Sequence, residues 1–502
     1  MKLLRLLSLT LCLGFFYHEY GYAAQIRWAA DFEAGAPYVY LNPDEPGKPL
    51  GFETDLMREL GRHLGLDLKH VSISWDGLIP GLLRGNQYDL VVNGIEVTPE
   101  RSKIVLFTTP YFVTSNWLSK RSNDSSIQNL ADCKNKRVGT LKNAYGEYFL
   151  KKQGDIDVIT YEQESNAYKD LLESRIDAVF LDAPITHYYG TPRPGVEVLK
   201  GDYGKMEYAI ALRFKEEALR DKLDSGIAAL AKNGTLKKIY QSYGIWNALM
   251  EKNLGPKVRT PDVRPVYFED FQALHNQRQT AFDKLVAMKP FAPLFLTGAI
   301  KTLQVSLFSM VLAIVLGLII ALTRVYAVKP FSIAALAWVE LLRGTPLILQ
   351  LFLIYYGLPA YGIKLDPFVA AVVGLGLNYS ACEAENYRAG LLSVPQSQVE
   401  AATALGMSRI QTIRFIILPQ AIRLVLPPMT NDFIALLKDS SLVSIITMVE
   451  LMKVYGQVSS MTYDYTTPGL LVAAAYVLLG MPFVWLARMI EKKYSKSFKR
   501  EG

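Results

Sequence analysis

Residues 302–323 read Thr-Leu-Gln-Val-Ser-Leu-Phe-Ser-Met-Val-Leu-Ala-Ile-Val-Leu-Gly-Leu-Ile-Ile-Ala-Leu-Thr, without one Asp, Glu, Lys or Arg. A helix rises ~1.5 Å per residue, so this stretch is long enough to cross ~30 Å of hydrocarbon. Tyr465 to Ala487 is a second such run. Between them lie three further candidates, roughly Leu347–Tyr361, Pro367–Tyr387 and Ile422–Ile446, the last two carrying ionisable residues. The second half therefore predicts an all-α membrane domain with about five spans. Its flanks set an orientation. Arg324, Lys329 and Arg343 fall on one side, with Arg388, Arg409, Arg414 and the tail Lys492, Lys493, Lys496, Lys499 and Arg500. The other side holds little beyond Lys364 and Lys453. Basic residues gather on the cytoplasmic side, so five spans starting outside end inside.

Working outward, the 502 residues exceed one compact domain. Hydrophobic residues make up 50% and charged residues 20%, but unevenly. The first half alternates charged and apolar residues as a soluble protein does. The formal charge of +7 collects beside the apolar runs and in the tail, with no basic stripe interleaved with aromatics, so nucleic acid is not an expected partner. At the start, Lys2 and Arg5 precede the apolar run Leu6 to Tyr17, and small residues follow at Gly21, Ala23 and Ala24. That series predicts a signal peptide over 1–24, cut after Ala23; the alternative is an uncleaved anchor. Either way the following segment is exported. Of the three cysteines, Cys12 lies in the leader and Cys382 in an apolar run. Cys133 alone remains in the exported half, which rules out a disulfide within it. No metal-ligand spacing is present.

From 25 to 246, short β-rich runs alternate with helical stretches. Leu56, Leu60, Leu64 and Leu66 give a helical face ending near Gly65. Val71–Ile73 and Tyr88–Val92 read as strands around a helix that begins at Leu78–Leu83. This alternation predicts α/β layers on a largely parallel sheet. The motifs Gly51-Phe52-Glu53-Thr54-Asp55-Leu56, Ser74-Trp75-Asp76-Gly77-Leu78, Tyr88-Asp89-Leu90-Val91-Val92-Asn93-Gly94, Thr98-Pro99-Glu100-Arg101 and Arg175-Ile176-Asp177-Ala178 to Asp182 occur in order. They resemble the polar amino-acid solute-binding proteins of ABC importers. The resemblance implies a two-lobed, type II periplasmic binding protein-like domain, with crossing segments near Ser115–Lys120 and Met206–Leu212.

A zwitterion needs a cation for its carboxylate and an anion for its ammonium, and the planar fork of arginine suits a carboxylate. By resemblance, Arg101 is the carboxylate-binding arginine and Asp182 the ammonium-binding aspartate, one on each lobe. Trp75 takes the place of an aromatic that stacks on the ligand. Asn93 and Gly94, together with Asp31 and Phe32 of the first strand-to-helix turn, complete the expected set. Two positions depart from the family. Glu96 stands where Ser, Thr or Asp is frequent, and Asn143-Ala144 where a Gly-Thr pair is usual. An added carboxylate at Glu96 is expected to repel acidic ligands and favour an ammonium or guanidinium.

Residues 247–292, punctuated by Pro256, Pro261, Pro265 and Pro290, predict a linker with an amphipathic interfacial helix over Phe268–Met288. The permease domain is expected over 293–494 and a basic cytoplasmic tail over 495–502. In the membrane half, Glu340-Leu341-Leu342-Arg343-Gly344-Thr345-Pro346, and Glu400-Ala401-Ala402-Thr403-Ala404-Leu405-Gly406 followed by Ile416-Ile417-Leu418-Pro419, resemble the permeases of histidine- and glutamine-type importers. The resemblance implies that Glu400, Ala401, Ala402 and Gly406 form a cytoplasmic coupling loop for a separate ATPase. It also implies two ATPase subunits, a homodimer of this chain, and a small polar amino acid or related solute as cargo. The chain itself needs no cofactor; ATP and Mg would sit on the ATPase, since no phosphate loop is present. Glu385, Asn431 and Lys438 are candidates for the translocation pathway, because ionisable and polar residues at membrane depth face a partner or a path. Competing readings are a ligand-gated channel, which would split the binding lobes with membrane helices, and an exported enzyme of the same fold. No catalytic motif supports the latter.

Overall fold

The computed structural model describes residues 25–498 apart from 33, 34, 43, 44, 46, 86, 255–260, 262, 277–279 and 463. The expected signal peptide and the last residues of the tail lie outside the described residues.

The α/β half is built on two five-stranded sheets, beside a small two-stranded ribbon that pairs Tyr40–Leu41 with Pro49–Leu50. Strands β1 (Ile26–Ala30), β2 (Leu68–Ser72), β3 (Leu90–Val91), β4 (Leu106–Phe107), β5 (Phe112–Arg121), β6 (Arg137–Leu141), β7 (Asp157–Tyr161), β8 (Ala178–Asp182), β9 (Val196–Tyr208) and β10 (Ala211–Leu212) follow in chain order. The first sheet runs β2-β1-β3-β10-β4 and the second β9-β5-β8-β6-β7. β1 pairs in parallel with β2 and β3, and β6 with β7 and β8. The returning strands β10, β5 and β9 pair antiparallel. The chain changes lobe over residues 108–111 and returns over 209–210. The first crossing thus precedes the expected Ser115–Lys120, which is instead the buried middle of β5.

Helices α1 (Phe52–Leu64), α2 (Leu78–Arg84), α3 (Tyr145–Gln153), α4 (Glu164–Leu172), α5 (Glu217–Lys232) and α6 (Thr235–Ser242) cover the sheets. In α1, Phe52, Leu56, Met57 and Leu60 are buried at helical spacing, as the leucine periodicity predicts. Cys133 is buried and free, and burial pushes its thiol up to about 11.

After α7 (Ala248–Leu254) come α8 (Val266–Asn276) and α9 (Ala281–Ala287). The expected interfacial helix splits in two. α8 turns its aromatics onto the binding lobes: Phe268 stacks on His187 at 3.9 Å, Tyr267 on Tyr243 at 4.3 Å, and Phe271 is buried beside Tyr188. Only α9 leaves Phe282, Leu285 and Val286 exposed. Aromatic rings that find ring partners are better buried in protein than in a membrane interface.

The membrane half is built from α10 (Ala292–Tyr326), α11 (Lys329–Gly344), α12 (Leu347–Phe352), α13 (Pro367–Leu392), α14 (Gln396–Ala404), α15 (Leu418–Asp439), α16 (Leu451–Thr462) and α17 (Thr466–Phe498). Among the described residues, three helical stretches are by themselves long and apolar enough to cross a bilayer: Ala281–Tyr326, which contains α10, Arg409–Ile446, which contains α15, and Thr466–Met489 within α17. Leu347–Tyr361, expected as a span, bends by 104° from α11 and passes only as the second limb of that pair. Its length is the reason, since ~22 Å at 1.5 Å per residue falls short of the hydrocarbon. α13 has the length, at 26 residues, but its second half carries Glu383, Glu385 and Arg388.

α10 and α13 meet closely because Gly317 has no side chain. A Cβ there would lie 2.6 Å from the Cβ of Glu383 and 3.1 Å from the Ala384 backbone nitrogen. Gly317→Leu therefore forces the two helices apart. We expect it to cost at least ~1–3 kcal/mol, read as a lower melting temperature of the detergent-solubilised chain. A Gly317→Leu chain as stable as its parent would show that this packing does not hold.

Candidate functional site

The two lobes close on a cavity of about 690 Å³. Asp31, Trp75, Asn93, Gly94 and Glu96 line it from the first lobe, and Tyr145, Glu164 and Asp182 from the second. Three local features place these groups. Asp31 follows β1, and its carboxylate accepts the Trp75 backbone N–H at 2.7 Å, fixing the turn that carries Trp75. The Asn93 side-chain oxygen accepts the Asp31 N–H at 2.5 Å. Buried Glu53 accepts the Gly94 N–H at 2.6 Å and a bond from the Tyr111 hydroxyl, so the Asn93–Gly94 corner is held from behind. Burial raises Glu53 to about 7 and Glu164 to about 8, so Glu53 titrates around neutral pH and Glu164 is largely protonated there.

Contacts across the cleft hold the lobes together. Tyr38 of the first lobe donates to Asp182 of the second, and Tyr208 donates to the same oxygen at 2.9 Å. The Tyr145 N–H reaches Glu96 at 3.1 Å, and the Asn143 amide reaches Asp76 at 3.1 Å. Asn143 holds φ 57°, a left-handed conformation that Asn tolerates better than most residues, so it keeps a turn for which the family uses Gly. Burial, then the nearby Glu96, raises Asp182 to about 6, although its two tyrosine donors pull the other way.

Six of the eight residues expected from sequence line this cavity: Asp31, Trp75, Asn93, Gly94, Glu96 and Asp182. Phe32 does not. It is buried against the ring of His70 at 4.9 Å, because the chain turns after Asp31 and sends the next side chain into the core. Arg101 is not a lining residue either. Its guanidinium pairs with Glu96, lies 5.9 Å from the centre of the Trp75 ring, and reaches the Asn143 carbonyl at 3.4 Å. Glu96 is therefore not a loose extra anion: it is tied to the arginine expected to take a carboxylate. Tyr38, Tyr208, Tyr145 and Glu164, and the buried Glu53 behind the cleft, were not legible in sequence.

The membrane half contributes to the wall of the cavity. Ile348, Phe352, Ser444, Ile445, Met452, Lys453, Tyr455 and Gly456 line the same space. Both lobes are gripped. Arg84 donates to the Leu365 carbonyl at 2.6 Å and lies over the Tyr355 ring, whose hydroxyl donates to Gln87 at 3.0 Å. On the other lobe, Tyr465 donates to Gln163 at 2.9 Å and meets Ser165. Lys364, one of the two lysines expected on the outer side, donates to the Arg84 carbonyl.

At the opposite end of the helices, α14 carries Glu400, Ala401 and Ala402. Ala402 is buried, whereas Glu400 and Ala401 are exposed, and Leu405 and Ile410 are 83% and 77% exposed. Gly406 has φ 76°, the left-handed turn that ends the helix, and Ser408 caps the next one. Val399 packs against a buried cluster of Leu391, Val394, Ile417 and Ala421, on which Val325 and Tyr326 of α10 also pack, so the loop shares a core with α10 and α13. The three candidate pathway residues are not joined. Glu385 pairs with Arg324 and, at 2.9 Å, with Arg388. Asn431 and Lys438 are exposed on α15, seven positions apart and so on one face.

Comparison with known proteins agrees with this geometry. Residues 29–245 match the bacterial extracellular solute-binding proteins, family 3. Residues 313–496 match the binding-protein-dependent transport system inner membrane component. The L-cystine transport system permease protein TcyB of Bacillus subtilis (strain 168) is 38% identical over 185 residues, 37% of this chain and 79% of that protein. The arginine transport system permease protein ArtQ of the same organism is 34% identical over 205 residues, 41% of this chain and 94% of that protein. A crystal structure of an amino acid ABC transporter with histidines is 38% identical, with a TM-score of 0.40, and covers 42% of this chain and 98% of its own. The chain belongs to the inner membrane components of binding-protein-dependent transport systems, and it carries a family 3 solute-binding domain in the same polypeptide.

Proposed function

We propose that the chain imports a polar amino acid, capturing it outside the membrane and passing it to its own permease half. One observation carries this reading: residues of both lobes and of the permease half line one and the same cavity. A separate ATPase drives the cycle through Glu400, Ala401, Ala402 and Gly406. The binding lobes and this loop sit at opposite ends of α10 and α13, which supports an outer position for the first and a cytoplasmic one for the second. The domain limits 25–246 and 293–494, and a leader removed at the membrane, go with that arrangement. Two copies of the chain and two ATPase subunits form the transporter, and Asn431 and Lys438 face the path between the copies, with Glu385 steadying its inner end.

In the cavity, Asp182 takes the ligand ammonium, Trp75 stacks on the side chain, and Arg101 takes the carboxylate in exchange for Glu96. Asp31, Asp76, Glu96 and Glu162 outnumber Lys142 and Lys453 along the wall, so neutral and cationic side chains are favoured over dicarboxylates.

Two measurements test this. A calorimetric screen of the full chain against the common amino acids should find one-site binding, with glutamate and aspartate among the weakest. Because Asp182 must be ionised to hold an ammonium, affinity should fall as pH drops through about 6, approaching a tenfold loss per pH unit. Asp182→Asn should weaken binding and flatten that profile. Arg101→Ala should cost ~2–5 kcal/mol. Failure of every amino acid to bind would refute the reading.

The second measurement concerns coupling. Transmission requires an element that both the ATPase and the permease bias, and the exposed loop around Leu405 is tied to α10 and α13. Gly406→Pro, which cannot adopt φ 76°, and Ala401→Trp should abolish ligand-stimulated ATP hydrolysis in the reconstituted transporter. Ligand binding and membrane insertion should persist. Survival of stimulation in both variants would remove the loop from the coupling path.

A further inference from the structure

α16 is the permease element that enters the binding half most deeply. Its residues Val454, Val458 and Met461 belong to the same buried apolar cluster as Tyr40 and Tyr188 of the lobes. From its first turn, Lys453 extends into the ligand cavity and stands 3.7 Å from Asp31, with side chains 6% and 5% exposed. Asp31 is the carboxylate that also fixes Trp75. A cation from the permease thus occupies the anionic side of the space where the solute is held.

The position of Lys453 is not left to a flexible loop. Glu450 folds back on the helix start, accepting the N–H groups of Met452 at 2.8 Å and Lys453 at 2.9 Å. It also accepts from Tyr476 of α17 at 3.0 Å, and the Leu451 N–H donates to Thr302 of α10 at 3.3 Å. The backbone that carries the ammonium is therefore bolted to two long membrane helices. Any rearrangement of α10 against α17 moves Lys453 relative to Asp31.

We propose that Lys453 is a tethered competitor, inserted by the docked permease to displace the positively charged part of the solute from Asp31 and release it toward the membrane path. The proposal rests on the amino-acid import reading and adds to it the step that empties the cleft. A buried carboxylate demands a cation, and a tethered one competes at a high effective concentration that does not depend on how much solute is free. Linkage makes the competition reciprocal: solute disfavours insertion of Lys453 by the same factor as Lys453 disfavours solute. Insertion against a filled site therefore has to be driven, which gives the ATPase cycle something to act on through α10 and α17.

The test uses the full chain in lipid nanodiscs and equilibrium binding of labelled L-arginine, whose side chain is cationic, and L-glutamine, whose side chain is not. Lys453→Met keeps the aliphatic stem and removes the charge; Lys453→Arg keeps the charge. We expect Lys453→Met to bind L-arginine at least tenfold tighter than the parent, Lys453→Arg to match the parent, and L-glutamine to shift less than twofold. Docking is monitored separately by disulfide trapping of Ser72→Cys with Gln457→Cys, a pair whose side chains meet at 3.4 Å; its yield should not change in Lys453→Met. Unchanged or weaker L-arginine binding by Lys453→Met, with trapping intact, overturns the proposal. Loss of trapping in Lys453→Met also overturns it, because Lys453 is then a docking strut. Failure of both amino acids to bind every form overturns the import reading itself, and this step with it.

Discussion

α16 is buried from two directions at once. Val454, Val458 and Met461 lose their water to the binding lobes, while Glu450 pins the first turn to α10 and α17. Burying several aliphatic side chains is worth a few kcal/mol, at ~25 cal/mol per Å², enough to seat one folded half on another. Because that apolar contact lies beside the cleft, seating and closure of the cleft are one arrangement. The cavity has no complete wall without the permease, and Lys453 has no route to Asp31 without α16.

The charges in the cleft follow from the same enclosure. Water-poor surroundings penalise isolated carboxylates, so each buried acid either finds donors or takes up a proton. Asp182 has two tyrosine hydroxyls, Glu96 has Arg101 and a backbone N–H, and Asp31 has the Trp75 N–H and Lys453. Glu53 and Glu164 lie deeper, and burial raises both into or above the neutral range. The cleft is thus an acidic surface in which Asp31, Glu96 and Asp182 each have a partner.

The departures from expectation share a cause. The stretch Leu347–Tyr361 is apolar enough to resemble a span, yet Thr345-Pro346 turns the chain by 104° and leaves it one limb of a bent pair. α8 has the alternating composition of an interfacial helix, but Phe268 and Phe271 meet rings of the binding domain first. Phe32 follows the cavity-lining Asp31 in sequence, yet it packs into the core against His70. Local composition states what surface a segment would prefer to bury, not which partner reaches it.

Sequence by itself determined what depends on neighbours in the chain. The uncharged run from Thr302 to Thr323 made the second half a membrane domain. The β–α alternation and ordered motifs gave the two lobes with Asp31, Trp75 and Asp182. The Glu400–Gly406 spacing gave an exposed helix ending in a left-handed turn. It also singled out Lys364 and Lys453 as the rare cations on the outer side, without a use for either. Tertiary structure alone decided that Arg101 is taken by Glu96, that Tyr38 bridges the lobes at Asp182 with Tyr208 donating to the same oxygen, and that Lys453 meets Asp31. Pairings between charges far apart in the chain follow from where the folded backbone carries them, and no local pattern encodes that distance.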